Sequence, residues 1–158
     1  MQSSGLLVFW IFFNLIIGLY EIYTFYNRER LQLDYRTIWS NVASAKSQTG
    51  FLLDAWSEYC KVDGRYIAKS DQYVWLFEIA NAASAAILLG CWLIGNYQVA
   101  RYIICFQFVN CCCYFASLVM ESIIGRGISK YARWWMFVVY YGISSIWLWI
   151  PLILLSKH

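Results

Sequence analysis

Four stretches of this chain are nearly unbroken apolar runs, near 5–26, 72–94, 99–123 and 133–155, each long enough to cross a bilayer as a helix. The few polar residues inside them recur at helical spacing. In the first run Asn14, Gly18 and Glu21 fall at i, i+4 and i+7 on one face. In the second, Glu78 stands about seven residues in from Asp71, roughly 10 Å along a helix axis at ~1.5 Å per residue. Water is scarce at that depth, and an ionisable group there needs a partner or a task. Asn81 shares the face of Glu78, while Ala82 and Ala85 leave it open to a close neighbour or a ligand. In the third run Gln107, Asn110, Tyr114 and Glu121 form a polar stripe expected to face a bundle interior. In the last, Ser144 and Trp147 lie about halfway across, and Pro151 is expected to kink the far end. The pattern predicts an all-α polytopic membrane protein. It is a four-transmembrane-helix bundle with a long amphipathic first loop, and 1–158 forms one domain.

The connections differ in kind. Residues 27–70 carry seven of the twelve Lys and Arg residues and most of the acids. This segment is nonetheless too rich in Leu, Trp and Tyr for a disordered linker. LDYRTIWSNVA and FLLDAWSEYCKVD have the pattern of short amphipathic helices lying on the membrane surface, broken at Gly50 and Gly64. The other two connections, GNYQ and GRGISK, are short turns. The first run starts close to Met1, yet it has no basic flank and is about 20 residues long, so a retained helix is expected rather than a signal peptide.

Composition agrees with the membrane assignment: 61% of residues are hydrophobic and 13% charged. A net charge of +3 gives no case for nucleic acid as a partner. Five of the six cysteines lie in apolar runs, without histidine at metal-ligand spacing, and read as reduced packing residues. The one histidine is His158, so no internal imidazole can act as acid, base or ligand. Neither a metal nor a cofactor is expected.

Antiparallel neighbours share their loop ends, so depth can be compared along the sequence. Glu21, Glu78 and Glu121 belong to the half nearest the first and third loops; Asn14, Asn110, Ser144 and Trp147 lie near the midplane. That distribution describes a cavity with carboxylates toward one mouth and an aromatic, weakly polar floor. It does not describe a channel lined by rings of charge.

WSEYCKVDGRYIAKSDQYVWLFEIANA, residues 56–82, resembles the emopamil-binding-protein family, the sterol isomerases of the EXPERA domain. Trp56, Glu58, Tyr59, Lys61, Asp63, Arg65 and Tyr66 match that family's surface-helix segment, and Glu78 falls on its intramembrane glutamate. Gln107 with Tyr114, and Trp147 with Pro151, add to the resemblance. The family's isomerases protonate one end of a sterol double bond and take a proton from the other, with a carbocation between. The resemblance implies proton transfer for Glu78 and cation stabilisation for the Trp147 indole. The chain is a divergent member by this reading. The family's first-helix histidine and glutamate fall on Asn14 and Gly18, its asparagine three residues before the tryptophan is Ser144, and a third-helix aspartate is Cys111. Most of the sterol isomerase's acid and base set is therefore replaced. Glu21, one turn beyond Gly18 on the same face, is the remaining candidate for a second proton-transfer group; the alternative is that it reaches headgroup water or pairs with Arg28.

Two functions are expected from these features. One is a membrane-embedded isomerase or cyclase acting by proton transfer on a lipophilic sterol, terpenoid or polyketide-like substrate. Glu78 and Glu21 would be catalytic, and Asn14, Asn81, Gln107, Asn110, Tyr114, Ser144 and Trp147 would bind substrate. The other is a non-catalytic sterol- or lipid-binding protein of the same fold. Partners are a lipophilic small molecule and the bilayer, with a homodimer left open. The basic first and third loops place the termini in the lumen by the positive-inside rule, whereas the resemblance implies the reverse and implies the endoplasmic reticulum.

Overall fold

The computed structural model describes residues 5–27, 63–66, 73–123, 138 and 141–156. The two surface helices expected between 27 and 62 lie outside them. The described chain is almost entirely helical: α1 (Gly5–Tyr26), α2 (Tyr73–Leu93), α3 (Tyr97–Ile123) and α4 (Ile146–Ser156), with a single 3₁₀ turn at Gly64–Tyr66 before α2. Three helices, those beginning at Gly5, Tyr73 and Tyr97, are long and apolar enough to cross a membrane, and a shorter apolar helical stretch covers Tyr141–Ser156. In hydrocarbon a helix satisfies its backbone within itself, which is why such runs fold this way.

The bundle differs from a soluble one in its surface, which is apolar as well as its core. On α1 the exposed stripe is Phe9, Phe12, Ile16 and Leu19, whereas the buried stripe runs Leu7, Ile11, Asn14, Gly18 and Glu21. The outward stripe of α1 is wholly apolar while its Asn14 and Glu21 face protein, the arrangement a lipid solvent selects.

α1 lies antiparallel along α2. Phe12 meets Trp92 near one end (ring centroids 6.5 Å apart) and Phe25 meets Trp75 near the other (5.5 Å). Between them a Cβ added to Gly18 would lie 2.9 Å from both Cα and Cβ of Ala82, so the two backbones approach as closely as only glycine allows. α2 packs on α3, α3 on α4, and α4 touches α1, which closes the bundle. The apolar core near the α2–α3 turn joins Leu7, Trp10, Ile11, Leu88, Ala100, Ile104 and Leu154.

The α2–α3 turn is tighter than the sequence pattern predicts, with α3 beginning at Tyr97 instead of near 99. Gly95 takes φ +71° and the Asn96 N–H returns to the Cys91 carbonyl at 2.8 Å, a Schellman closure. Asn96 also caps α3, its side-chain oxygen accepting from the Val99 N–H at 3.2 Å. In the last apolar stretch the helix is interrupted at Ser145, and Pro151 sits inside the continuous segment Ile146–Ser156. The Ser145 N–H still donates to the Tyr141 carbonyl at 2.8 Å, and the Ser145 hydroxyl donates to the Gly142 carbonyl at 2.7 Å.

Candidate functional site

The close approach at Gly18 and Ala82 has its chemical consequence one turn on. Glu21, three residues after Gly18, is brought against Glu78 and Asn81, which lie four residues and one residue before Ala82. Glu21 is 5% exposed, and its Oε2 has no hydrogen-bond partner among the described residues. Two carboxyls placed together away from water repel each other unless at least one is protonated. Glu21 is buried and does not face headgroup water; Arg28, the other partner expected for it, lies outside the described residues.

Glu78 has a second partner. The Tyr66 hydroxyl donates to Glu78 Oε1. Tyr66 is itself buried, its ring edge-on to Trp75 with centroids 5.2 Å apart, one helical turn from Glu78. Val74, Trp75, Tyr66 and Tyr114 form an apolar and aromatic collar around this end of the bundle, with Tyr20, Phe25, Phe77 and Phe115 packed against it.

Tyr66 is held by the residues before it. Asp63 Oδ1 accepts from the Arg65 backbone N–H at 3.1 Å and from Arg65 Nε at 2.9 Å, and Asp63 Oδ2 accepts from Arg65 Nη2 at 2.6 Å. Both side chains are buried, at 0% and 3% exposure. An ion pair so enclosed must have its remaining atoms satisfied, and α3 supplies the partners. The Tyr114 hydroxyl donates to Asp63 Oδ2 at 2.7 Å, Arg65 Nη1 donates to the Ser117 hydroxyl at 2.6 Å, and the guanidinium stands 4.8 Å from the Tyr114 ring centroid. Burial alone would lower the Arg65 pKa, but the hydrogen bonds and charge of Asp63 outweigh it and hold the group above its ordinary value. Arg65 is charged at every working pH.

A second polar cluster lies deeper. Asn14 donates to the Trp10 carbonyl at 2.8 Å, and its Oδ1 accepts from the Trp147 indole N–H at 3.2 Å. The Trp10 indole donates to Gln107 Oε1 at 2.9 Å, Gln107 Nε2 donates to the Ser84 hydroxyl at 3.0 Å, and Ser84 donates to the Asn81 carbonyl at 2.7 Å. The Trp147 ring packs on Phe13 and Trp10 with centroids 5.1 and 6.3 Å away. Asn14 precedes Glu21 by seven residues, so this cluster is about 10 Å along the axis from the carboxyl pair.

Of the residues expected to form a site, Glu21, Glu78 and Asn81 come together. Asn110 is close by, donating to the Phe77 carbonyl at 3.0 Å, and Tyr114 is engaged with Asp63. Asn14, Gln107 and Trp147 join the deeper cluster, and Ser144 is half-buried in the turn of helix before Ser145. Periodicity does not mark Tyr66, Ser84 or Trp10. Tyr66 precedes the second apolar run, and the signal for it is the adjacent Asp63 and Arg65, two opposite charges two residues apart. Among the described residues no group of three His, Cys, Asp or Glu side chains is placed to hold a metal ion, and Cys91, Cys105, Cys111, Cys112 and Cys113 are free thiols.

No protein-family profile, curated protein or solved structure matches this chain.

Proposed function

We propose that this protein is a four-span membrane enzyme, an isomerase or cyclase, that moves a proton on a lipophilic sterol, terpenoid or polyketide-like substrate. The observation that carries the reading is the contact between buried Glu21 and half-buried Glu78, with Oε2 of Glu21 left without a hydrogen-bond partner among the described residues. A pair holding one proton can deliver it to a double bond and take another back, using one group as acid and the other as base. An aromatic collar suits the cationic intermediate of such a reaction. Asn81, against Glu21, orients the acid. The resemblance to the emopamil-binding-protein family favours the same chemistry and an endoplasmic-reticulum location.

A second reading, a non-catalytic sterol- or lipid-binding protein, is favoured by one specific observation. The first-helix positions that carry a histidine and a glutamate in the family this chain resembles are Asn14 and Gly18 here, neither of which can transfer a proton. Solvent deuterium separates the two. The purified protein in lipid nanodiscs is extracted and its co-purifying lipids identified by mass spectrometry, then those lipids are returned to the protein in heavy water. Proton transfer places deuterium on the product, and Glu78→Gln abolishes the incorporation while leaving the fold intact. A retained lipid that gains no deuterium supports the binding reading.

A further inference from the structure

The carboxyl pair does not stand alone at its end of the bundle. Four residues in sequence, 63–66, lead from a buried ion pair to the hydroxyl that meets Glu78, and the hydrogen bonds of that turn run in defined directions. Asp63 accepts from Arg65 three times and from Tyr114 once, and Arg65 donates onward to Ser117. The turn is thereby tied to α3 at two residues one helical turn apart, while its last side chain reaches α2. Burying a charged pair carries a desolvation penalty that an apolar pair of the same shape would not, so the arrangement is a costly way to achieve stability alone. What it does provide is a fixed direction for Tyr66.

We propose that Arg65 and Asp63 are positioning residues for the carboxyl pair: their ion pair, anchored to Tyr114 and Ser117 of α3, sets the 63–66 turn so that the Tyr66 hydroxyl occupies one oxygen of Glu78. Tyr66 touches the reacting carboxyl; Arg65 and Asp63 act through Tyr66. With one oxygen engaged, the Glu78 carboxyl is held in a single orientation against Glu21. The proposal rests on the proton-transfer reading of the pair, but its test needs no turnover, so the positioning of Glu78 is measured separately from deuterium incorporation and the two can fail independently.

Dicyclohexylcarbodiimide, which partitions into the bilayer, is the probe. A protonated carboxyl gives its proton to a carbodiimide nitrogen while a carboxyl oxygen bonds to the central carbon, and acyl migration from oxygen to nitrogen leaves a stable N-acylurea. Nothing is oxidised or released. Peptide mass mapping of the protein in nanodiscs reads Glu21, Glu78 and Glu121 separately. Tyr66→Phe is expected to label Glu78 several-fold faster than wild type. Arg65→Gln and Asp63→Asn, which keep Tyr66, are expected to do the same. Arg65→Gln combined with Tyr66→Phe should be no faster than Tyr66→Phe alone, and Glu121 should stay at its wild-type rate. Ser117→Ala removes one bond to Arg65 and gives an intermediate rate; it carries the test if the ion-pair variants do not fold. An unchanged Glu78 rate in the folded Arg65, Asp63 or Ser117 variants overturns the proposal. So do additive effects, an unaltered Tyr66→Phe, or a parallel rise at Glu121, which would mark general loosening.

Discussion

Gly18→Ala adds one methyl group where the structure has no room for it. The new Cβ would lie 2.9 Å from the Cα and Cβ of Ala82, against a preferred carbon–carbon separation of about 3.5–4.0 Å. One of the two neighbours is backbone, so no side-chain rotation relieves the clash and α1 and α2 must part by roughly 0.5–1 Å. Overpacking of this kind costs about 1–3 kcal/mol, and the intrinsic advantage of Ala over Gly in a helix returns about 0.8–1.0 kcal/mol. A net loss of up to ~2 kcal/mol is expected, because in lipid the helices are held by van der Waals fit and a gap is not closed by hydrophobic pressure. Unfolding of the protein in mixed micelles with a rising fraction of dodecyl sulfate, followed by tryptophan fluorescence, gives the number. Ala82→Gly on the same background relieves the clash with the side chain at 82 but not the clash with its backbone, so recovery should be partial. Gly90→Ala, where an added Cβ meets nothing within 4 Å, is the control and should be neutral or slightly stabilising. A Gly18→Ala variant no less stable than Gly90→Ala would show that α1 and α2 do not meet at this glycine, and the reason for the Glu21–Glu78 pairing would go with it.

Asp63→Ala should destabilise by about 3–5 kcal/mol, since it leaves the buried Arg65 without its counter-charge. Adding Arg65→Met should recover much of that loss in the same denaturation assay, and a double variant no better than the single would refute the account. Trp147→Leu leaves the Asn14 Oδ1 without its indole donor and should cost about 1–3 kcal/mol in stability. If the ring also lines a ligand site, a cationic amine binds weaker by ~1–2 kcal/mol, and unchanged affinity would place the ring away from the ligand. Glu21→Gln should alter the pH–rate profile relative to wild type once a substrate is in hand; an unaltered profile and rate remove Glu21 from the chemistry.

What the sequence reveals and what it hides divide along a physical line. Apolar length alone marks helices, because a long apolar run in lipid has few other ways to satisfy its backbone, and α1 and α2 begin and end within two residues of the bounds read from pattern. Helical spacing also predicts that Glu21, Glu78 and Glu121 lie in the same half of the bundle, since antiparallel neighbours joined at one end must align in depth, and the structure brings the first two together. Spacing does not reveal which polar groups satisfy one another. Asn14 and Gln107 look like ligand-binding groups because they are polar and deep, yet each is engaged by an indole N–H, from Trp147 and Trp10 respectively. Tryptophan, read along the sequence, is an apolar residue and gives no sign of where its one donor points. The engagement of Tyr66 is equally hidden, because it depends on a turn of four residues whose geometry is set by hydrogen bonds to a helix about fifty residues away.

Gly18 also explains why a carboxylate stands at position 21 and not at 18. A side chain at 18 would begin with a Cβ inside the contact radius of the Ala82 backbone, so the point of closest helix approach cannot itself carry a glutamate. The closeness is needed, however, if a carboxyl on α1 is to reach one on α2. Three residues on, the same face of α1 returns after a rise of about 4.5 Å, and the facing residue of α2 is Glu78. There the gap set by Gly18 is wide enough for two side chains and narrow enough that they touch. A glutamate at 18 with a larger separation, or a glutamate at 21 without the glycine, would each leave the two carboxyls apart. Moving the acid in the variant Gly18→Glu, Glu21→Ala should therefore lose both the fold and the carboxyl contact, whereas Glu21→Asp should keep the fold and lengthen the contact; if the pair transfers protons as proposed, deuterium incorporation is then slowed without being abolished. Full activity in the moved-acid variant would sever the link between the close approach at the glycine and the carboxyl pair.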